Sequence, residues 1–299
     1  MVDEFSAIGV VYIIEGYSTM PNPSEQPSSS PTPKVGRTKG TIQSVDRAAR
    51  ILRALASGPR RLGVSELADR LEITRPTVHG LLQTLQAHGF VEQDLESEKY
   101  QLGPGLLHLG NSYLDLNELR SRSIIHAERL SERTSAAVRV GVMHGPAVVV
   151  VHHVFRPDGA FQVLEVGAEL PVHASALGKA MLAYAPREVV NDMVAEGLPK
   201  LTGRTLPAKG LRDEFKAVRD SGIARERDEA VLGESSLAGA IFDRSGAAVG
   251  AIGVVGETET IMPRGPSKGL RVAVADAARG ISRELGARRW PVAMDQEGG

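Results

Sequence analysis

Thr74-Arg75-Pro76-Thr77-Val78-His79-Gly80-Leu81-Leu82-Gln83-Thr84-Leu85, residues 74–85, is the stretch on which the fold turns. A threonine side chain can accept from the free amides at a helix start, and proline fits the first turn, where its missing N–H had no partner anyway. Thr74 and Pro76 therefore predict a helix opening here. Val78, Leu81, Leu82 and Leu85 recur at the spacing of one helical face. Arg75, Thr77, His79, Gly80, Gln83 and Thr84 occupy the other, and all are hydrogen-bonding or small.

Upstream, residues 65–71 predict a short helix. Before that, Val45, Ala48, Ala49, Ile51, Leu52, Leu55 and Ala56 keep helical spacing, with Ser44 as candidate N-cap and Gly58-Pro59 as a stop. Downstream, His88-Gly89 ends the central helix. Residues 90–93 and 99–102 then read as two short strands around the polar loop 94–98, a β-hairpin. Helix, helix, turn, helix and hairpin at this spacing form the winged helix-turn-helix plan, whose third helix enters the major groove. Gln can pair bidentately with adenine and Arg with guanine, so Arg75, Thr77, His79, Gly80, Gln83 and Thr84 are the candidate base and backbone contacts. Lys99 and Tyr100 on the wing, Gln43, Ser44 and Arg47 at the first helix, and Arg37 and Lys39 on the preceding arm are further candidates. A three-helix unit with a hairpin also serves protein–protein contact, and Glu92, Asp94, Glu96 and Glu98 on the hairpin would repel phosphates.

The charge distribution favours DNA. The whole chain of 299 residues has a net charge of −1, but between Lys34 and Arg75 ten Lys and Arg stand against four Asp and Glu. Hydrophobic residues at 42% and charged residues at 24% fit a globular protein of two domains. Without cysteine there is no disulfide, thiolate nucleophile, iron–sulfur cluster or Cys-ligated zinc. Apolar runs fall short of a membrane span, and Asp3 and Glu4 make 9–14 a poor signal peptide, so a cytoplasmic protein is expected. Pro and Ser crowd residues 20–40, so residues 1–40 read as a disordered arm, with Met20 an alternative start.

Beyond the hairpin, helices are expected at 105–116 and 118–134. Strands are expected at 137–143, 147–154, 161–166, 236–242 and 247–255, and helices at 175–184, 187–196, 209–220 and 267–285. Strands flanked by segregated helices predict an α+β sensor-like domain.

Several enzyme readings fail. Gly178-Lys179 lacks the glycine five residues earlier and the following Ser or Thr of a phosphate loop. No serine stands in a G-x-S-x-G elbow. His144, His152, His153 and His173 are weak metal candidates, since adjacent His152 and His153 on a strand point to opposite faces. Asp228 and Glu229 read as a solvated strand end. No catalytic residue, metal or cofactor is expected. A small-molecule-processing enzyme carrying a nucleic-acid module, and an architectural DNA protein, are the competing classes.

Thr41-Ile42-Gln43-Ser44-Val45-Asp46-Arg47-Ala48, Ser65-Glu66-Leu67-Ala68, Thr77-Val78-His79 and Tyr100-Gln101-Leu102-Gly103 resemble the DNA-binding half of the IclR family of regulators. Leu170-Pro171-Val172-His173-Ala174-Ser175-Ala176-Leu177-Gly178-Lys179-Ala180 resembles that family's effector-domain signature. The resemblance implies a winged helix-turn-helix over 41–103, a linker helix over 104–117 whose Leu106, Leu107, Leu109 and Leu114 face a partner, a GAF-like effector domain over 118–288 and a flexible tail. It further implies dimers or tetramers on pseudo-palindromic operators, usually as repressors, with a small metabolite controlling affinity. By position in the family's motifs, Ala176, Leu177, Glu226 and Ser236 border the effector pocket and Gly253 and Val255 lie on its floor. Ser236 replaces a Cys, Glu226 an Asp, and Gly253 and Val255 two serines of a glyoxylate-sensing member, which disfavours glyoxylate. His152-His153-Val154-Phe155-Arg156-Pro157-Asp158 and Ser282-Arg283-Glu284-Leu285-Gly286-Ala287 resemble the actinobacterial branch regulating glycerol operons, implying glycerol 3-phosphate or glycerol as effector. The helix starting near Ser175, Arg225 and Arg227 are the candidate phosphate receptors.

Overall fold

A computed structural model describes residues 42–57, 59, 61–116, 118–158 and 162–290. The predicted arm, Arg37 and Lys39 lie outside the described residues. Internal contacts divide the chain into two units. The first reaches Leu85 and takes in Asp94–Tyr100; the second holds Gln86–Gln93 and everything from Gln101.

The first unit is built on α1 (Gln43–Ala56), α2 (Val64–Leu71) and most of α3 (Arg75–Ala87). Their apolar faces converge as predicted: Ile51, Leu67, Val78 and Leu82 are fully buried, with Leu55 and Leu85 beside them. Burying each such side chain contributes about 1.5–3 kcal/mol. Ser44 is not the cap of α1. Ile42 holds that position without a side-chain bond, and Ser44 sits one residue inside the helix. At α2 the cap is carried by Glu66, whose Oε2 accepts from the Gly63 amide at 2.6 Å.

The short strands β1 (Val91–Gln93) and β2 (Tyr100–Leu102) form the expected hairpin. Its loop is closed by Asp94, which accepts from the amide and hydroxyl of Ser97.

The second unit opens with α4 (Gly105–Leu116) and α5 (Glu118–Thr134). One six-stranded antiparallel sheet follows, in the order β5 (Glu169–Pro171), β4 (Ala147–Val154), β3 (Ala137–His144), β8 (Ala248–Glu257), β7 (Glu234–Phe242), β6 (Ala224–Arg227). Strand alternation sorts its residues into two cores. Val138, Val140, Ile252, Val254 and Ile241 pack with α5 and α10 (Lys268–Glu284). Ala238, Ala240, Ala251 and Phe242 pack with α6 (Ala176–Leu182), α7 (Arg187–Glu196) and α8 (Ala208–Ser221). A short α9 (Thr258–Ile261) follows β8. Gly178 permits the close approach of α6, because a Cβ there would collide with the Val172 backbone.

Two strands differ from expectation. Residues 162–165 form no strand, and the sheet is instead extended at that edge by Glu169–Pro171. Val163 and Leu164 are both exposed, so the apparent alternation buries no face. The unforeseen β6 pairs with β7 through Glu226 opposite Ser236.

Candidate functional site

In the first unit the exposed side of α3 carries Arg75, His79, Gly80, Gln83 and Thr84, with Thr77 half-buried, opposite the buried Val78, Leu82 and Leu85. Two hydroxyls are already engaged: Thr77 Oγ1 lies 2.9 Å from Thr74 Oγ1, and Thr84 Oγ1 donates to the Gly80 carbonyl at 3.0 Å. Arg75, His79 and Gln83 follow one another at four-residue spacing and are the long side chains projecting outward. On α1, Gln43 and Ser44 are exposed and Arg47 is half-buried.

Of the two wing candidates, one is buried. Tyr100 is 2% exposed, paired by two backbone bonds to Leu62, so its ring fills the unit's core and cannot reach DNA in this structure. Lys99 remains half-exposed, with its Nζ 3.2 Å from Glu66 Oε1. The acidic loop is partly neutralised, since Asp94 pairs with Arg61 at 2.8 Å.

In the second unit, all six candidate effector residues meet. Ala176, Leu177, Glu226, Ser236, Gly253 and Val255 line one cavity of about 20 Å³ between α6 and the sheet. Such a volume holds about one water. Glu226 is 2% exposed; its Oε1 accepts from the Glu229 amide at 2.9 Å and its Oε2 from Ser236 Oγ at 2.9 Å. Burial pushes its carboxyl up to about 7, against the lowering effects of those two donors and of Lys179.

The folded Glu226 holds its proton to about pH 7, whereas an unfolded glutamate releases it near 4.5. The stability this gives is present below pH 4.5 and lost as pH rises through 7, a span of about 2–4 kcal/mol. Glu226→Gln, a neutral isostere, should therefore be more stable than the parent at pH 8 and equal to it at pH 4.5 by denaturant unfolding. Equal stability at pH 8 would refute the assigned protonation.

Behind the pocket lies an ion pair. Lys179 Nζ, fully buried on α6, sits 2.6 Å from Glu229 Oε1. Glu229 Oε2 has no hydrogen-bond partner among the described residues, and burial raises that carboxyl despite Lys179. Asp228 and Glu229 are thus buried rather than solvated, at 8% and 6% exposure. They are separate in role: Asp228 Oδ1 accepts from Thr258 Oγ1 and the Gly233 amide.

The phosphate receptors expected on β6 are misplaced. Arg225 and Arg227 alternate away from Glu226, and Arg225 pairs with Glu214 at 3.6 Å. The cation that lines the pocket is Arg139, from the middle of β3. A lone arginine among the valines of β3 was the signal for it. Its guanidinium lies between two carboxylates. Nε and Nη2 donate to the two oxygens of Glu165, the latter at 2.6 Å, and Nη1 donates to Glu234 at 3.0 Å. His152 and His153 do face opposite ways. His153 Nδ1 accepts from the Glu165 amide at 3.3 Å, while His152 is half-buried within the field of Arg120 and Glu128 on α5. No group of three metal-ligating residues occurs among the described residues, nor does a helix long and apolar enough to cross a membrane.

The IclR helix-turn-helix domain model matches residues 44–95, and the bacterial transcriptional regulator IclR C-terminal model matches residues 111–283. The chain is 47% identical over 252 residues to the glycerol operon regulatory protein of Streptomyces griseus, covering 83% of this chain and 98% of the relative. Its counterpart from Streptomyces coelicolor is 45% identical over 255 residues, with the same coverage. An IclR transcriptional regulator from Alicyclobacillus acidocaldarius shares the fold, with a TM-score of 0.72 at 24% identity over 82% of this chain and 100% of that one. With the helix-turn-helix model falling on the exposed α3 and the C-terminal model on the pocket-bearing unit, the chain belongs to the IclR family of DNA-binding transcriptional regulators.

Proposed function

We propose that this chain is a cytoplasmic repressor of a glycerol-utilisation operon, released from or recruited to its operator by glycerol 3-phosphate or glycerol. The observation that carries this reading is the convergence of six candidate effector residues on one cavity, in a chain nearly half identical to two Streptomyces glycerol operon regulatory proteins. A winged helix-turn-helix over 41–103 reads a pseudo-palindromic site through Arg75, Thr77, His79, Gly80, Gln83 and Thr84, with Gln43, Ser44, Arg47 and Lys99 positioning the backbone. A linker over 104–117 joins it to a GAF-like domain over 118–288. Leu107 and Leu109 on α4 are 67% and 52% exposed, apolar surface that a second copy would cover. Leu114 instead packs against its own core, and Leu106 is half-buried. Ligand bound in the C-terminal domain biases the spacing of two recognition helices in a homodimer or tetramer, so that they fit or miss half-sites about one helical turn apart.

The test is a gel shift on the protein's own upstream DNA with excess non-specific competitor. A specific complex whose affinity changes with glycerol 3-phosphate or glycerol supports the reading. A specific complex indifferent to both removes the glycerol assignment and leaves the family.

A further inference from the structure

The cavity around Glu226 is too small for a metabolite, but a second, larger space adjoins it. A cleft of about 370 Å³ opens beside it on the same sheet face, and Arg139, Glu234 and Val255 line both. That volume is within the range of small-molecule sites. We propose that this outer cleft is the docking site for the oxyanion of a small hydroxylated metabolite, and that Arg139 is its anchor, with Glu165 as the carboxylate the oxyanion displaces. This rests on the effector-controlled reading above and names the chemistry the effector must carry.

Three observations support the assignment. The first is geometric. Glu165 takes the Nε and Nη2 edge of Arg139 with both its oxygens, the bidentate fork that a free carboxylate or phosphate makes with a guanidinium. The second is mechanical. Glu165 stands in a segment outside the sheet and its side chain is 28% exposed, so it can leave without breaking a strand. Glu234 begins β7 and stays behind, satisfying the opposite edge of Arg139. The third is a spare donor. Arg156 lines the same cleft; its Nε is ion-paired with Asp158 at 3.4 Å and makes no hydrogen bond among the described residues.

Charge fits as well. With Glu165 in place, Arg139 and Arg156 face Glu165, Glu234 and Glu257, a net negative wall. When Glu165 swings out, two arginines face two carboxylates and an incoming oxyanion recovers the lost fork. The ligand's hydroxyls are then directed past Arg139 toward Glu226 and Ser236. Glu165 thus acts as an internal competitor that sets the ligand concentration at which the site fills.

The test is titration calorimetry on the full chain with glycerol 3-phosphate, glycerate, inorganic phosphate and glycerol. Glu165→Gln, which keeps the shape and removes the competing charge, should tighten at least one of the three oxyanions roughly tenfold. Arg139→Gln should weaken the same oxyanion by at least roughly tenfold, and glycerol should bind the parent and both variants alike. The preferred oxyanion tells a phosphate ester from a carboxylate. No heat from any oxyanion with Glu165→Gln would overturn the proposal, as would affinities within about twofold of the parent. The Glu165→Gln variant decides the matter even should the Arg139 variant fail to fold. The two readings fail separately. Arg139-dependent oxyanion binding with an operator complex indifferent to glycerol compounds removes only the glycerol assignment. An operator response to glycerol without Glu165 dependence removes only the anchor.

Discussion

Lys179→Met lowers the stability of the second unit by about 3–5 kcal/mol at pH 8, the range observed when one partner of a buried ion pair is removed. Lys179 is 0% exposed and Glu229 6%, so solvent cannot replace the lost ammonium. The pair is 2.6 Å long, and the other Glu229 oxygen has no partner among the described residues to share the burden. Methionine fills much of the lysine stem's volume, so the loss comes from the orphaned charge rather than a void. Burial already raises the Glu229 carboxyl with Lys179 present, and removing Lys179 raises it further. A carboxyl that holds its proton more tightly when folded is penalised only where it must ionise. The loss is therefore largest at pH 8 and shrinks as pH falls toward the ordinary carboxylate value of 4.5. Lys179→Met/Glu229→Gln, which leaves no charge behind, should recover most of the stability at pH 8. Denaturant unfolding at pH 5 and 8 reads all three proteins; a single variant as stable as the parent at pH 8 would show that the pair contributes nothing net.

The same pair bears on the pocket. The Glu229 amide donates to Glu226, and the Glu229 carbonyl accepts from Thr202 and Thr205. Lys179 therefore fixes the turn that orients the pocket's titrating carboxyl, and it does so from the helix whose N-terminal residues, Ala176 and Leu177, form the opposite wall.

How much of this was legible depended on what each segment buries. The helices of the first unit were readable because each presents one continuous apolar face, and a 3.6-residue period survives any local detail. Residues 161–166 misled because their apolar residues suggested a strand while Val163 and Leu164 both face water. The segment's contribution is Glu165, and a carboxylate's distant partner leaves no mark on local periodicity. The converse error hid β6. Arg225, Glu226 and Arg227 show no apolar alternation, yet Glu226 is buried because its partners arrive from β7 and from the following turn. Tyr100 failed for a related reason. An aromatic on a wing suggests a DNA contact, but the bridge to Leu62 turns its ring inward. Pocket membership followed from family motifs and was consistent with the folded geometry. Arg139 has no place in those motifs, and only the sheet register, which sets it opposite Gly253 and His153, brings it to the cavity wall.

Arg75→Ala/Gln83→Ala lowers affinity for the specific operator by roughly a hundredfold, while folding and effector binding stay as in the parent. Each good base contact discriminates by about 1–3 kcal/mol, and two contacts from residues about two helical turns apart add approximately. Both side chains are exposed and neither belongs to the core formed by Val78, Leu82 and Leu85, so truncation leaves the unit's packing intact. Salt dependence separates the roles of the two residues. Only Arg75 can neutralise a phosphate, so the slope of log affinity against log salt should fall by about one for Arg75→Ala and not at all for Gln83→Ala. If Gln83 reads a base, its loss weakens the cognate site and spares non-specific DNA, narrowing the gap between the two. If both variants weaken every sequence equally, α3 contacts only the backbone, and the specificity must come from α1, from the arm or from the deformability of the site. Measured by fluorescence anisotropy on cognate and scrambled duplexes at two salt concentrations, the outcomes differ in direction as well as size.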